Sequence, residues 1–195
     1  METREFVKRS NLGLVKVSMS RYGAVLTTRA AGERAWHDIE REIEAVGEND
    51  VVAIDFTGVD AITIPYADAC LARLMSGKAS GFYENHPLVL TNANEDVRET
   101  IGAALSQRRL VALCLAPGGA PNLLGGDQTL ERTIRAAAEL EDPFSVGQLV
   151  KKMDISPPAA NNRLRQLTKV GALQRERINP AHGGREFRYR VPVAA

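Results

Sequence analysis

Two cysteines and three histidines in 195 residues leave little material for metal or disulfide chemistry. Cys70 and Cys114 each sit in an apolar periodic segment without a partner motif, which excludes a disulfide framework or a zinc site and makes both core thiols. His37, His86 and His182 are spread over a helical segment, a turn and a late connection, with no paired carboxylates around them, so they form no catalytic constellation. The chain also lacks a Walker-type phosphate loop, a His-Glu-x-x-His helix and a Gly-x-Ser-x-Gly elbow. The expectation is a protein that is not an enzyme and needs no cofactor or metal. No run of about 18 apolar residues is available to cross a bilayer. The start "METREFVKRSNLG" lacks the apolar core of a secretory signal, so the expected location is cytoplasmic, with no membrane partner. Internal repeats and low-complexity tracts are absent as well.

What remains is the composition of an ordinary globular protein, 44% hydrophobic and 25% charged. The net charge of +1 hides a division along the chain. Residues 1–142 carry 15 basic and 21 acidic side chains, whereas residues 143–195 carry 10 basic and 3 acidic. An excess of that size in some fifty residues is the electrostatic footprint of a nucleic-acid-binding module, although a solvated basic face has the same count.

Within the basic quarter, "DPFSVGQLVKKMDISPPAANNRLRQLTKVGAL" predicts two helices joined by a very short turn. Ser145 and Gln148 have the spacing of a capping box, and Val146, Leu149, Val150 and Met153 form the buried stripe of the first helix. Asp154 and Ile155 make the turn. Ser156 caps the second helix with Pro157 at its first position; Ala160, Leu164 and Leu167 face inward, and Gly171 ends it. Asn161, Asn162, Arg165, Gln166 and Lys169 therefore point outward. Amides and guanidinium groups in that arrangement can read adenine and guanine in a major groove, or can be a plain polar surface. The segments "ALQRERI" and "REFRYRV" alternate as strands, with Phe187, Tyr189 and Val191 on one face and Arg188 and Arg190 on the other. Pro180, Gly183 and Gly184 connect them, with His182 and Arg185 at the tip.

This order resembles the recognition helix and wing of bacterial winged-helix repressors, such as the arsenic-resistance and antibiotic-resistance regulator families. The shared pattern is Leu164, Leu167, Gly171 and Leu173 after a serine cap. The resemblance runs over residues 128–192, because "DQTLERTIRAAAELED" supplies a first helix through Leu130, Ile134, Ala137 and Leu140. It implies binding of double-stranded DNA, with base-reading roles for Pro158, Asn161, Asn162 and Arg165. The implied backbone contacts come from Lys151, Lys152, Arg163, Lys169, His182 and Arg185.

The first two thirds alternate buried strands with amphipathic helices, an α/β pattern. "GAVLTT", "VVAIDFTGV", "PLVLTN" and "LVALCLA" read as strands; "GERAWHDIEREIEAV", "YADACLARLMSG" and "EDVRETIGAALSQRR" read as helices. The opening "FVKRSNLGLVKVSM" supplies a strand or a hairpin. The segment "VVAIDFTGVDAITIPYADACLARL" is similar to the central strand, loop and helix of the STAS fold, the domain of sulfate transporters and anti-sigma factor antagonists. The features that match are Asp55, Gly58, Val59, Ile62 and the helix start at Tyr66, Ala67 and Asp68. In partner-switching members a phosphorylated serine stands before this helix, and here Ile64 and Pro65 occupy its place. Thr63 and Tyr66 flank the position, either as modified residues or as a loop-capping hydroxyl and a packing aromatic.

The combined expectation is an α/β protein: a STAS-like sheet with flanking helices over residues 1–118, a Gly/Pro-rich linker over 119–127, and a small α+β winged helix-turn-helix domain over 128–195. The function expected is a sequence-specific transcription regulator, a repressor by its resemblance, acting as a homodimer, with a regulatory protein partner on the STAS-like part. The alternatives are an adaptor whose winged helix docks on protein, and a small-ligand site at the strand carboxyl ends.

Overall fold

A computed structural model describes residues 14–47, 50–83, 86–116, 120–178 and 186–192. The chain runs β1 (Leu14–Ser18), a 3-10 turn (Met19–Tyr22), β2 (Val25–Leu26), α1 (Arg29–Glu44), β3 (Val51–Asp55) and β4 (Ala61–Ile62). A continuous helical stretch follows as α2 (Ile64–Ala67), one π turn (Asp68–Ala72) and α3 (Arg73–Ala79). Then come β5 (Leu88–Thr91), α4 (Glu95–Gln107), β6 (Ala112–Leu115), β7 (Pro121–Leu124) and α5 (Gln128–Ala138). The chain continues through β8 (Phe144–Ser145), α6 (Val146–Met153), α7 (Pro157–Lys169), β9 (Gln174–Ile178) and β10 (Glu186–Arg190).

The apolar runs become the middle of a five-stranded sheet ordered β1-β3-β5-β6-β7. β3, β5 and β6 are buried at every position, as strands covered on both faces must be. The sheet is mixed: β1, β3, β5 and β6 are parallel, and β7 pairs antiparallel with β6. Side chains alternate between its two faces. Val52, Ile54, Leu88, Leu90, Ala112 and Cys114 share a core with the helices from α1 to α4. Val51, Val89, Leu113, Leu115 and Leu123 share the other with α5, α6 and α7. The basic quarter is thus packed, through α5, on the second face of the sheet.

β7 departs from the expected linker over 119–127. Register pairs Leu113 with Leu123 and Cys114 with Asn122, so this Gly/Pro-rich stretch adds an edge strand to the sheet. Its Asn-Leu-Leu core is too short to stand out between glycines, and cross-strand pairing decides the matter. Gly125 ends the strand at φ +79°, where a Cβ would lie 2.3 Å from the Leu110 carbonyl oxygen, so only glycine fits. In the opening segment, Leu14–Ser18 form a single strand parallel to β3.

Two polar clusters tie the α/β part together. At the carboxyl end of β3, buried Asp55 accepts hydrogen bonds from the Thr57 hydroxyl at 2.9 Å and the Asn92 amide at 2.6 Å, and pairs with Lys16 at 2.8 Å. Burial pushes its carboxyl pKa up, but Lys16, Asn92 and Thr57 outweigh that effect and hold it below the ordinary value. On the helical layer, Arg108, the residue that follows α4, and Arg29 of α1 converge on Asp68. Arg108 first, then Arg29, lowers that carboxyl too, against the opposing effect of burial.

Asp55→Ala is expected to cost about 2–3 kcal/mol, since it strands the buried Thr91 hydroxyl and frees Asn92, which is held at a left-handed φ of 57°. The pH dependence has a definite sign. A carboxyl whose folded pKa is depressed stabilises fully above its unfolded value near 4, and that contribution is lost as pH falls through the folded value. Urea titrations at pH 7 and pH 3 should therefore show a smaller gap between the natural chain and the variant at pH 3.

Candidate nucleic-acid interface

The two helices of the basic quarter are set by their end groups. Ser145 and Gln148 form a complete capping box: the Ser145 amide donates to Gln148 Oε1 at 2.7 Å, and the Gln148 amide donates to Ser145 Oγ at 3.3 Å. α6 stops at Asp154, whose left-handed φ of 51° turns the chain sharply. Ser156 then caps α7 by accepting from the Ala159 amide at 3.4 Å, with Pro157 first in the helix. Gly171 reverses the chain after α7 at φ +76°. A left-handed residue at each helix end keeps the whole unit short.

Burial divides α7 into two sides. Ala160, Leu164 and Leu167 are fully buried at helical spacing against Leu149, Ile134 and Phe144 of the second core. Pro158, Asn161, Asn162, Arg165, Gln166 and Lys169 are exposed, as is Lys151 on α6. Arg163 is half-buried on the flank between the two sides. Four residues read as base-contacting, Pro158, Asn161, Asn162 and Arg165, therefore occupy one solvent-facing surface of a single helix. The Asn161 amide is turned back on its own helix, donating to the Pro157 carbonyl at 2.9 Å, and Arg165 donates to Asn162 Oδ1 at 3.3 Å.

Several cations already have partners inside the chain. Lys152 pairs with Glu139 at 2.6 Å, which draws it toward α5 and away from Lys151. Arg188 pairs with Glu186 at 2.9 Å, and Arg190 with Asp142 at 3.2 Å. Burial pushes the Asp142 carboxyl up, while Arg190 pulls it down. Arg190 thus helps to fasten the last strand to the segment that follows α5, whereas the Arg188 pair lies within β10. Arg175 lies over the Phe187 ring, 4.6 Å from its centre, and both Arg175 and Arg177 are exposed on β9. Sequence reasoning singled out neither of those two, although the alternation in "QRERI" puts them on the same face. His182 and Arg185 lie outside the described residues.

The strands after α7 belong to a three-stranded antiparallel sheet ordered β8-β10-β9, where the sequence pattern gave two. Tyr189 is opposite both Phe144 and Arg175, and its ring stacks on Phe144 with centres 5.9 Å apart. The two-residue β8 pins the hairpin to the start of α6, so helix and strands share one frame.

Elsewhere, Tyr66 is a packing residue, 1% exposed, and Thr63 donates its hydroxyl to the Thr27 carbonyl. Both thiols are buried, and burial raises the Cys70 pKa to about 12 and that of Cys114 to about 11. Among the described residues no group of three or more His, Cys, Asp or Glu side chains could hold a metal ion, and no helix is long and apolar enough to cross a membrane. No family model matches the chain, and neither a curated protein nor a solved structure matches it.

Proposed function

We propose that the chain is a sequence-specific DNA-binding transcription regulator, in which α6, α7 and the β8-β10-β9 sheet act as a winged helix-turn-helix and the five-stranded sheet with its helices acts as a STAS-like assembly domain. The observation that carries this reading is the two-sidedness of α7. Its apolar stripe is spent on the core, which leaves Asn161, Asn162, Arg165 and Lys169 free of any packing duty. Exposed amides and a guanidinium along the outer side of α7 suit base edges, and Lys151, Lys169, Arg175 and Arg177 suit phosphates. Lys152 has a smaller part than its sequence position suggests, because Glu139 competes with a phosphate for it. The first two thirds carry the acidic excess, so they face protein partners better than they face DNA. A homodimer on pseudo-palindromic sites, with half-sites about one helical turn apart, completes the proposal. The place of action is the cytoplasm, and the role is regulatory and not enzymatic.

A second reading, an adaptor that docks on protein, draws on Val25 and Ile64, apolar side chains that are 57% and 40% exposed beside the β2-β4 pair. Fluorescence anisotropy on duplexes selected from random sequence separates the two. Asn162→Ala should cost about 1–3 kcal/mol with a preference lost at one base position, while binding to unrelated duplex stays unchanged. If Asn162→Ala and the natural chain select identical sequences with equal affinity, the base-reading assignment is wrong. If neither selects any duplex, the adaptor reading takes its place.

A further inference from the structure

Asn161, Asn162 and Arg165 are all exposed on α7, and their hydrogen bonds divide the work among them. A carboxamide has a donor end and an acceptor end, and a partner that can only accept or only donate decides which end it meets. The Pro157 carbonyl only accepts, so it takes the Asn161 Nδ2 group, at 2.9 Å. That bond runs back one turn and holds the short side chain against the wall of its own helix. The Arg165 guanidinium only donates, so it takes Asn162 Oδ1, at 3.3 Å. Asn162 and Arg165 stand at i and i+3, where side chains are neighbours on one side of a helix.

What the Asn162–Arg165 pair still presents is N–H groups, those of the guanidinium and of Asn162 Nδ2. The major-groove edge of guanine offers two adjacent acceptors, N7 and O6. Adenine sets a donor beside its acceptor, cytosine shows a donor, and thymine has one acceptor beside a methyl group. A surface of donors matches guanine alone among the four at two points. An exposed arginine also loses much rotamer freedom when it is fixed on a base, and a hydrogen bond formed beforehand reduces that loss.

We infer, on the strength of the DNA reading above, that Arg165 contacts one guanine through N7 and O6, that Asn162 positions its guanidinium, and that Asn161 reads no base. The helix is thus specific for guanine at this position, and its two asparagines have different roles.

Selection from a random duplex pool, with the natural chain and with Arg165→Ala, identifies the guanine that depends on Arg165. Anisotropy then measures replacements of that one base. Inosine keeps N7 and O6 and should bind as guanine does. 7-Deazaguanine lacks N7, and adenine has an amino group in place of O6, so each should bind at least about fivefold weaker. Asn162→Ala should remove most of the guanine-to-adenine preference, and adding it to Arg165→Ala should remove no more, as for two groups sharing one contact. Asn161→Ala should keep the preference. All three positions are exposed, so the fold is left intact. The inference is overturned if Arg165→Ala changes no base preference, if the base it affects is not guanine, if 7-deazaguanine binds as well as guanine, or if Asn161→Ala and not Asn162→Ala removes the preference. In each of those outcomes duplex is still selected and the DNA reading stands; a chain that selects no duplex overturns both.

Discussion

Arg165→Glu combined with Lys169→Glu is expected to lower affinity for duplex DNA by at least about a hundredfold near physiological ionic strength, with the fold unchanged. Both side chains are exposed on the outer side of α7, and neither contributes to either hydrophobic core. Surface substitutions of this kind usually change stability by about 0.5 kcal/mol or less. Removing a base-contacting arginine costs about 1–3 kcal/mol, and a phosphate-contacting lysine costs less. Reversing both charges adds repulsion from the phosphates, and about 2.8 kcal/mol in all already makes a hundredfold. Anisotropy on one labelled duplex, with circular dichroism melts on the same samples, checks the result. A fall in affinity with an equal fall in melting temperature would mean a folding defect and not a lost contact.

Leu164→Ala should have the largest effect on stability, about 3–4 kcal/mol. Leu164 is fully buried in the middle of the α7 stripe, within the same cluster as Leu130, Ile134, Leu149 and Tyr189. Leu→Ala changes in such sites combine lost transfer free energy with the cavity left behind, about 2–5 kcal/mol in all. Elements from α5, α6 and the last strand contact that cluster, so the neighbours cannot easily collapse into the space. The second core also includes Val89 and Leu113 of the large sheet, and the loss should therefore appear in the main urea transition and not in a separate one. An early transition confined to the basic quarter, with the remainder unfolding as before, would show that the two cores are energetically separate.

Much of the architecture was legible because it rests on local rules. Continuous apolar runs gave β3, β5 and β6, and the complete end signals gave α6 and α7, with Ser145, Gln148, Ser156, Pro157 and Gly171 in the expected roles. The residues that escaped depend on partners far along the chain. β7 and β8 have four and two residues, too few for any periodicity, and each exists because a neighbouring strand pairs with it. The π turn at Asp68–Ala72 has the same apolar pattern as an ordinary helix, so sequence could not separate the two. Charge was the hardest to read. Counting cations along residues 143–195 treats all ten alike, but Lys152, Arg188 and Arg190 are drawn into ion pairs. The shared core between α5 and the sheet was equally hidden, since an amphipathic helix does not reveal which surface it will cover.

The most direct test of the account is the salt dependence of duplex binding. If Lys151, Lys169, Arg175 and Arg177 meet phosphates, the logarithm of the binding constant should fall linearly with the logarithm of salt concentration, with a slope of roughly −4 per bound chain. Lys169→Glu should make that slope shallower by about one. Binding that is flat from 50 to 200 mM salt, or no measurable binding at the lower concentration, would contradict the claim that this basic surface is built for DNA.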